Sequence, residues 1–330
     1  MPTPDPGGLL VRAARRLEQA RHTADGARRA LLSPTGLRGA ALETAWVAGH
    51  LVTYPFGLLA ERTPDALART RVHDLPPVQR ALVMGDVEAA STPILLVHGI
   101  VDNRSIFTVL RRGLRRRGFG VVGAFNYPSL IGDVRAVAAA LAEHVETLCE
   151  QTGYERIHIV GHSMGGLVAR YYVQRMGGDQ FVHTLVTLGT PHAGTEPARY
   201  LPHPLVRQLR PGSDVIGELT EPAPGCATRF VSIWSDLDQL IIPKRSGRIV
   251  HPDLDARNVF IRGVGHLSLP VDGRVVHEIC TTLAHLDHDG HTVAAGATSI
   301  ASSTGRRTPR AAGRPAPPAA AATRQTAGRD

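Results

Sequence analysis

The residues best suited to chemistry lie in the stretch Gly161-His162-Ser163-Met164-Gly165. An apolar run at 156–160 predicts a buried strand before it, and a helical period begins after Gly166. A serine on such a turn takes a strained backbone conformation, and the flanking glycines let strand and helix approach closely. The helix N-terminus would favour a negative charge beside the serine. The pattern therefore predicts Ser163 as a nucleophile, against the alternative of a serine in an ordinary strand-to-helix turn.

A serine hydroxyl needs a base within hydrogen-bond reach, and the base needs a carboxylate to orient it. After a serine turn of this kind the acid and then the histidine follow, on loops after later strands. Among 16 histidines, His266 fits best, because it lies in a glycine-flanked loop, 263–267, directly after a predicted strand. Three other histidines adjoin tight turns and are interpreted as shaping them: His98, His162 and His192.

Two aspartates compete for the role of the acid. Asp236 and Asp238 both follow the apolar run 230–234. Asp238 comes shortly before a second apolar run, where its side chain could be buried against an imidazole, whereas Asp236 is closer to the strand end and could cap the turn. The sequence favours Asp238 and leaves Asp236 as the alternative.

An acyl-transfer site also needs two backbone amides aimed at the charge that develops on the substrate carbonyl, the oxyanion hole. Met164 directly follows the serine and would supply one amide at the helix N-terminus. The turn His98-Gly99-Ile100 follows an earlier predicted strand and would supply the other from Ile100. The alternative interpretation of His98-Gly99 is a plain strand exit.

The elements that must position these residues alternate between strand and helix from residue 93 onward, which predicts an α/β fold with a mostly parallel sheet covered on both faces. The predicted strands are 94–97, 120–125, 156–160, 181–188, 230–234 and 258–262. The predicted helices are 105–117, 132–150, the one after Gly166, and about 274–286. The irregular stretch 189–226 contains seven prolines and is predicted to form a lid or binding loops.

The chain is predicted to have three parts: a helical N-terminal extension at 1–90, a catalytic domain at 91–295 and a disordered tail at 296–330. Within the extension, 9–32 predicts a basic amphipathic helix, either solvated over a core or lying on an anionic membrane surface. Residues 39–60 contain no Lys or Arg. They predict a helix packed on the domain, an in-plane membrane helix or a transmembrane span, although Glu43 would be costly in lipid.

The formal net charge of +8 is concentrated at the chain ends. Residues 1–90 hold 11 Arg against 9 acidic residues, and 296–330 hold 6 Arg against 1. Aromatic residues interleaved for base stacking are missing, so we expect no nucleic-acid partner. Three scattered cysteines predict neither a zinc site nor a disulfide framework, although one disulfide stays open. The N-terminus lacks the pattern of a secretory signal, which predicts a cytoplasmic or peripherally membrane-associated protein.

With these motifs in order, residues 93–266 resemble the alpha/beta-hydrolase superfamily, in particular bacterial lipases of the triacylglycerol lipase and GPI inositol-deacylase-like group. Four motifs carry the resemblance: Leu96-Val97-His98-Gly99-Ile100, residues 161–170, Leu188-Gly189-Thr190-Pro191-His192-Ala193-Gly194 and Gly263-Val264-Gly265-His266. One departure is Asp102, a carboxylate beside the oxyanion turn that would disfavour long anionic substrates.

The resemblance implies a lipase or esterase. Ser163 would be its nucleophile, Asp238 its acid and His266 its base, with the amides of Ile100 and Met164 as the oxyanion hole. It implies a lipophilic ester substrate, and membrane contact through residues 9–60 stays open. No cofactor or catalytic metal is expected, although a structural calcium stays open from some relatives. An acyltransferase or thioesterase on the same scaffold, and a membrane-associated binding protein without turnover, are the alternatives.

Overall fold

A computed structural model describes residues 33–34, 37–39, 41, 43–44 and 92–284, except residue 101 and residues 128–131. The predictions for 9–32 and for the tail 296–330 lie outside these residues. Most of 39–60 lies outside them as well. In the parts of the chain that are described, no helix is long and apolar enough to cross a membrane.

The described residues form one six-stranded sheet in which all neighbouring strands are parallel, in the order β2-β1-β3-β4-β5-β6. The predicted α/β class is therefore confirmed. The strands are β1 (Ile94–Val97), β2 (Val122–Phe125), β3 (Ile157–His162), β4 (Val182–Leu188), β5 (Arg229–Ser235) and β6 (Asp255–Ile261).

Helices connect these strands on both faces of the sheet. They are α1 (Thr108–Arg116), α2 (Val134–Thr152), α3 (Met164–Arg175), α4 (Pro204–Arg207), α5 (Asp214–Glu218) and α6 (Gly273–Leu283). Short 3-10 turns lie at Arg104–Phe107, Gly178–Gln180, Glu196–Arg199 and Lys244–Gly247.

Strand β6 begins three residues earlier than the sequence predicted. Its first three residues are Asp255, Ala256 and Arg257, which carry no apolar signature. Among the described strands β6 pairs only with β5, so it forms an edge of the sheet, where charged side chains are tolerated. Hydropathy therefore detected only its second half.

The sheet separates two apolar cores because successive side chains of a strand point to opposite faces. In β1, Leu95 and Val97 join the core under α2 and α3, whereas Ile94 and Leu96 join the core under α1 and α6. All four side chains are fully buried. A strand that is buried on both faces consists of consecutive apolar residues, which is why β1 could be located correctly from the sequence.

The stretch 189–226 packs onto the domain through its short helices. Leu205 on α4 and Val215 on α5 are fully buried and belong to the same core as α2 and α3. Tyr200 and Leu201, between the first 3-10 turn of this stretch and α4, are 85% and 54% exposed. Its role as a lid or binding segment stays a prediction.

None of the three cysteines is in a disulfide, so the disulfide that the sequence left open does not form. Cys149 and Cys280 are buried and Cys226 is half-buried. They lie in α2, in α6 and in the loop before β5.

We predict that Gly165→Ala strongly destabilises the fold. A Cβ atom at this position would lie 2.3 Å from the carbonyl oxygens of Val97 and His98, and backbone there cannot easily move. The expected loss in the free energy of unfolding is about 3 kcal/mol, measured by urea denaturation. Gly217→Ala on α5 is the matched control, since no atom lies within 4 Å of its added Cβ. It should be neutral or slightly stabilising, and an equal loss in both variants would contradict the prediction.

Candidate active site

Ser163 occupies the turn between β3 and α3 with a strained backbone. Its φ of 54° is the one positive φ of a non-glycine residue in the described part of the chain, and its ψ is −124°. The turn is held by hydrogen bonds: the Ser163 amide donates to the Leu188 carbonyl (2.8 Å), and the Ser163 carbonyl accepts from Thr190 Oγ1 (2.9 Å). Residues in sparsely populated backbone regions persist only where the surroundings enforce them, and they cluster at functional sites.

Glycines allow the chain to close around this serine. A Cβ atom at Gly161 would lie 2.5 Å from Gly166 Cα, so strand β3 and helix α3 pack backbone to backbone. A Cβ atom at Gly99 would lie 3.0 Å from Ser163 Cβ and 3.5 Å from its Oγ. The turn after β1 therefore lies directly against the serine side chain.

His266 and Asp238 form a buried hydrogen-bonded pair. His266 Nδ1 lies 2.8 Å from Asp238 Oδ2, and the two residues are 3% and 1% exposed. Because a carboxylate accepts, Nδ1 carries the proton, and a neutral imidazole then has its lone pair on Nε2. A neutral His266 can therefore accept a proton at Nε2, the nitrogen that points away from the aspartate.

The acid is itself held in place by the loop after β5. Asp238 Oδ1 accepts from the backbone amides of Leu240 (3.0 Å) and Ile241 (3.1 Å). The ammonium of Lys244 donates to the Asp238 backbone carbonyl. These partners fix the carboxylate before any substrate arrives, which is what an orienting acid requires.

Burial and the attraction between the two groups shift their pKa values in opposite directions. Desolvation alone would raise the pKa of Asp238, but the imidazole of His266, which donates to it, brings that pKa below its ordinary value. Desolvation alone would lower the pKa of His266, but the Asp238 carboxylate brings it above its ordinary value. Each group thus favours the charged form of the other.

Asp236, the alternative acid, faces another part of the site. Its Oδ1 accepts from the backbone amide of Gly263 at 2.7 Å, where the loop that carries His266 begins. Gly263 has a positive φ of 75°, which suits glycine at a tight turn. Asp236 therefore holds this turn, and Asp238 makes the hydrogen bond to the imidazole.

The serine turn and the His266 loop meet through two residues. His162 Nε2 donates to the His266 carbonyl at 3.0 Å, and the two rings are 4.9 Å apart between centroids. At the end of β4, a Cβ atom at Gly189 would lie 2.7 Å from Asp238 Oδ2 and 3.1 Å from His266 Nδ1. The Ser163 amide donates to the carbonyl of Leu188, the residue before Gly189. Ser163, Asp238 and His266 therefore lie together at the carboxyl ends of the strands.

Burial, together with the nearby His266, lowers the pKa of His162 to about 4, so this ring is neutral at pH 7. Asp102 opposes this shift, with its Oδ2 4.0 Å from His162 Nδ1. The sequence predicted that Asp102 lies beside the oxyanion turn. It is 7% exposed, and it accepts from the backbone amide of Asn103 at 3.1 Å.

The two residues predicted to supply oxyanion amides both lie next to the serine turn. Met164 is the first residue of α3, where a backbone amide has no partner inside the helix. Ile100 follows Gly99 in the turn after β1 and is half-buried. His98 holds that turn: its Nδ1 donates to the Gly99 carbonyl (2.8 Å), and its own carbonyl accepts from Tyr127 Oη (2.8 Å).

Sequence reasoning missed four residues that support the site: Thr190, Tyr127, Lys244 and Glu43. Thr190 lies within the motif at 188–194, so its position beside Ser163 could have been predicted. The other three are brought in by chain segments with no motif. In the described residues, no group of three or more His, Cys, Asp or Glu side chains is arranged to hold a metal.

Comparison with known proteins agrees with this fold. Residues 92–210 match the family model described as the alpha/beta hydrolase fold. The chain is similar to the alpha/beta-hydrolase family over this stretch, which is about a third of its length.

More particularly, its sequence is similar to those of bacterial triacylglycerol lipases. It is 30% identical over 130 residues to a triacylglycerol lipase of Burkholderia plantarii, which covers 37% of this chain and 36% of the relative. It is 29% identical over 121 residues to one of Pseudarthrobacter phenanthrenivorans, covering 34% of this chain and 37% of the relative. The matches thus span about a third of the length of these relatives.

Solved structures share the fold at low sequence identity. The mature Bacillus licheniformis lipase BlEst2 has a TM-score of 0.50 at 15% identity, covering 59% of this chain and 92% of that chain. Aspergillus fumigatus lipase B has a TM-score of 0.51 at 13% identity, covering 69% and 58%. At these identities the similarity concerns the fold alone.

We predict a pH-dependent stability loss for Asp238→Asn. The pair stabilises fully above the unfolded pKa of an aspartate and below that of a histidine, roughly pH 4 to 6.5. As pH rises through the raised pKa of folded His266, the contribution of His266 to the free energy of unfolding is lost. The substitution should therefore cost more free energy of unfolding at pH 5.5 than at pH 9, measured by urea denaturation.

The control for this experiment is Asp236→Asn, which removes a carboxylate from the same loop without touching the imidazole. Its cost should vary less between the two pH values. An equal cost of Asp238→Asn at both would contradict the electrostatic account of the pair.

Proposed function

We propose that this protein is a serine carboxylic-ester hydrolase, a lipase or esterase, in which Ser163, His266 and Asp238 form the catalytic triad. The proposal rests mainly on the buried hydrogen bond between His266 and Asp238. It lies at the sheet edge where Ser163 takes its positive φ at the start of α3. A strained serine, a histidine with a fixed tautomer and a buried carboxylate together suit nucleophilic catalysis.

In the proposed reaction Ser163 Oγ attacks the carbonyl carbon of the ester while His266 Nε2 accepts the hydroxyl proton. The tetrahedral intermediate collapses, the bond to the alcohol breaks, and His266 gives the proton to the departing alkoxide. Water then attacks the acyl enzyme while His266 accepts its proton. The bond to Ser163 Oγ breaks, His266 returns the proton to that oxygen, and the acid is released. Asp238 orients the imidazole and stabilises its charged form throughout.

The oxyanion of each tetrahedral intermediate would accept from the backbone amides of Ile100 and Met164. Met164 begins α3, so its amide and the helix dipole favour negative charge at this point. Gly99 brings the Ile100 turn against the serine side chain. Amides fixed in this way need little reorganisation when charge develops, which is the main source of their effect.

We propose a lipophilic ester as the substrate. The exposed apolar side chains of Tyr200 and Leu201, in the predicted lid segment, are suited to contact with acyl chains. The similarity to proteins named triacylglycerol lipases points the same way. The proposed chemistry requires neither a metal nor an organic cofactor.

Ser163→Ala should abolish ester hydrolysis and labelling by a fluorophosphonate probe, because the attacking oxygen is gone. Asp238→Asn should lower kcat by about 10⁴-fold, as expected when the orienting acid of a triad is lost. Asp236→Asn is the matched control and should keep kcat within about 10-fold, since it holds only the loop turn. Steady-state rates on p-nitrophenyl butyrate measure all three. Equal labelling of wild type and Ser163→Ala would refute the triad.

Hydrolysis of p-nitrophenyl esters of increasing chain length should be fastest for medium or long acyl chains if the site is built for lipophilic esters. Each buried methylene adds about 0.8 kcal/mol of favourable transfer free energy. The same series with an added alcohol separates hydrolysis from acyl transfer, since a transferase would form the new ester in preference to the free acid. A preference for acetate over all longer chains would contradict the lipophilic assignment.

A further inference from the structure

A carboxylate from far outside the motifs lies on the loop that carries His266. Glu43 Oε1 accepts from the Leu267 amide at 2.8 Å, and Oε2 accepts from the Ser268 amide at 2.8 Å. Oε2 also accepts from Ser268 Oγ at 2.5 Å. These two residues directly follow the predicted base, so both carboxylate oxygens are engaged by its own stretch of main chain.

Glu43 is helical, as are the other described residues between 34 and 44, and the Leu37 amide donates to the Ser33 carbonyl. Gly39, four residues before Glu43 in the sequence, contacts the same part of the domain. A Cβ atom at Gly39 would lie 2.2 Å from the Gly263 carbonyl oxygen and 2.8 Å from Leu237 Cδ2. The described part of 39–60 thus packs on the domain, against the loops of both His266 and Asp238.

The fit around the carboxylate is close. A Cβ atom at Gly265, the residue before His266, would lie 2.4 Å from Glu43 Cδ and Oε2. Glycine at 265 gives the loop backbone more conformational freedom than another residue would. The two charge-assisted hydrogen bonds from backbone amides to the Glu43 carboxylate restrict that freedom. Loss of the acceptor would leave both amides unsatisfied and the loop less constrained.

We propose that Glu43 is a positioning residue of the active site: its carboxylate clamps the main chain after His266 and adds negative charge beside the imidazole. Its catalytic meaning rests on the proposed function, whereas its effect on His266 itself does not. The N-terminal extension, which lies outside the matched family region, would then complete the site instead of merely covering it.

The groups that face His266 come from four parts of the chain: Asp238 after β5, Glu43 from the N-terminal segment, Asp102 after β1, and the neutral ring of His162 at the end of β3. Burial alone would lower the pKa of His266. Asp238 raises it most, and Glu43 and Asp102 raise it further. Removal of the Glu43 charge should therefore lower this pKa while the contact with Asp238 persists.

The test compares Glu43→Gln with wild type and with Glu143→Gln, an exposed charge loss on α2. The pKa of His266 is read from ¹⁵N–¹H imidazole spectra, assigned with His266→Gln, and this readout needs no substrate. In Glu43→Gln the pKa should fall, and the acid limb of kcat/KM on p-nitrophenyl butyrate should move to lower pH by the same amount. We also expect kcat to drop between about 10- and 100-fold with KM little changed. Glu143→Gln should match wild type in every measure.

Glu43→Asp keeps the charge but shortens the side chain by one methylene, so it cannot reach both amides equally well. Its kcat should lie between those of wild type and Glu43→Gln, with a smaller shift in the pKa of His266. It also keeps the proposal open to refutation if Glu43→Gln does not fold, as judged by thermal unfolding. A folded variant at position 43 with wild-type kcat and wild-type His266 pKa would overturn it. Failure of the proposed function would look different: a wild-type enzyme that neither hydrolyses esters nor labels at Ser163, whatever residue stands at position 43.

Discussion

The site depends on one buried hydrogen bond, between His266 and Asp238. Neither group would be stable alone in its charged form at this depth, because an unpaired buried charge costs several kcal/mol. Together they shift each other's pKa in opposite directions and fix the tautomer of the imidazole. The amides of Leu240 and Ile241 satisfy the second carboxylate oxygen, so the pair is fully hydrogen-bonded on the acid side.

The parallel sheet brings this pair to the serine. Strands β3, β5 and β6 run in the same direction, so the loops after them emerge at one edge even though Ser163 and His266 are far apart in sequence. The close approach at Gly161, Gly165 and Gly99 then sets the local geometry, because any side chain there would meet backbone or the serine itself. Fold and site are thus parts of one packing arrangement, with the strain at Ser163 held by its neighbours.

The contact of Glu43 with the His266 loop extends this arrangement beyond the common fold. A half-buried carboxylate with two backbone amides and a hydroxyl as partners is well satisfied, and it lies on the loop that carries His266. In the loop after β5, Lys244 likewise binds main chain, because its ammonium donates to the Asp238 backbone carbonyl. The pair is therefore held through the main chain of both loops as well as through its own side chains.

The sequence by itself determined the α/β class, the six strands and the placement of Ser163 and His266 on strand-end turns, because apolar periodicity and glycine spacing are local signals. It missed the polar half of β6 because an edge strand needs no apolar run. It favoured Asp238 but left Asp236 open, since both stand in the same loop and only the tertiary structure shows which carboxylate meets the imidazole. Nor could it assign Glu43, which the sequence describes only as an acid in an apolar stretch. Its meaning arises from a contact across more than 220 positions of chain, and such a contact has no local signature.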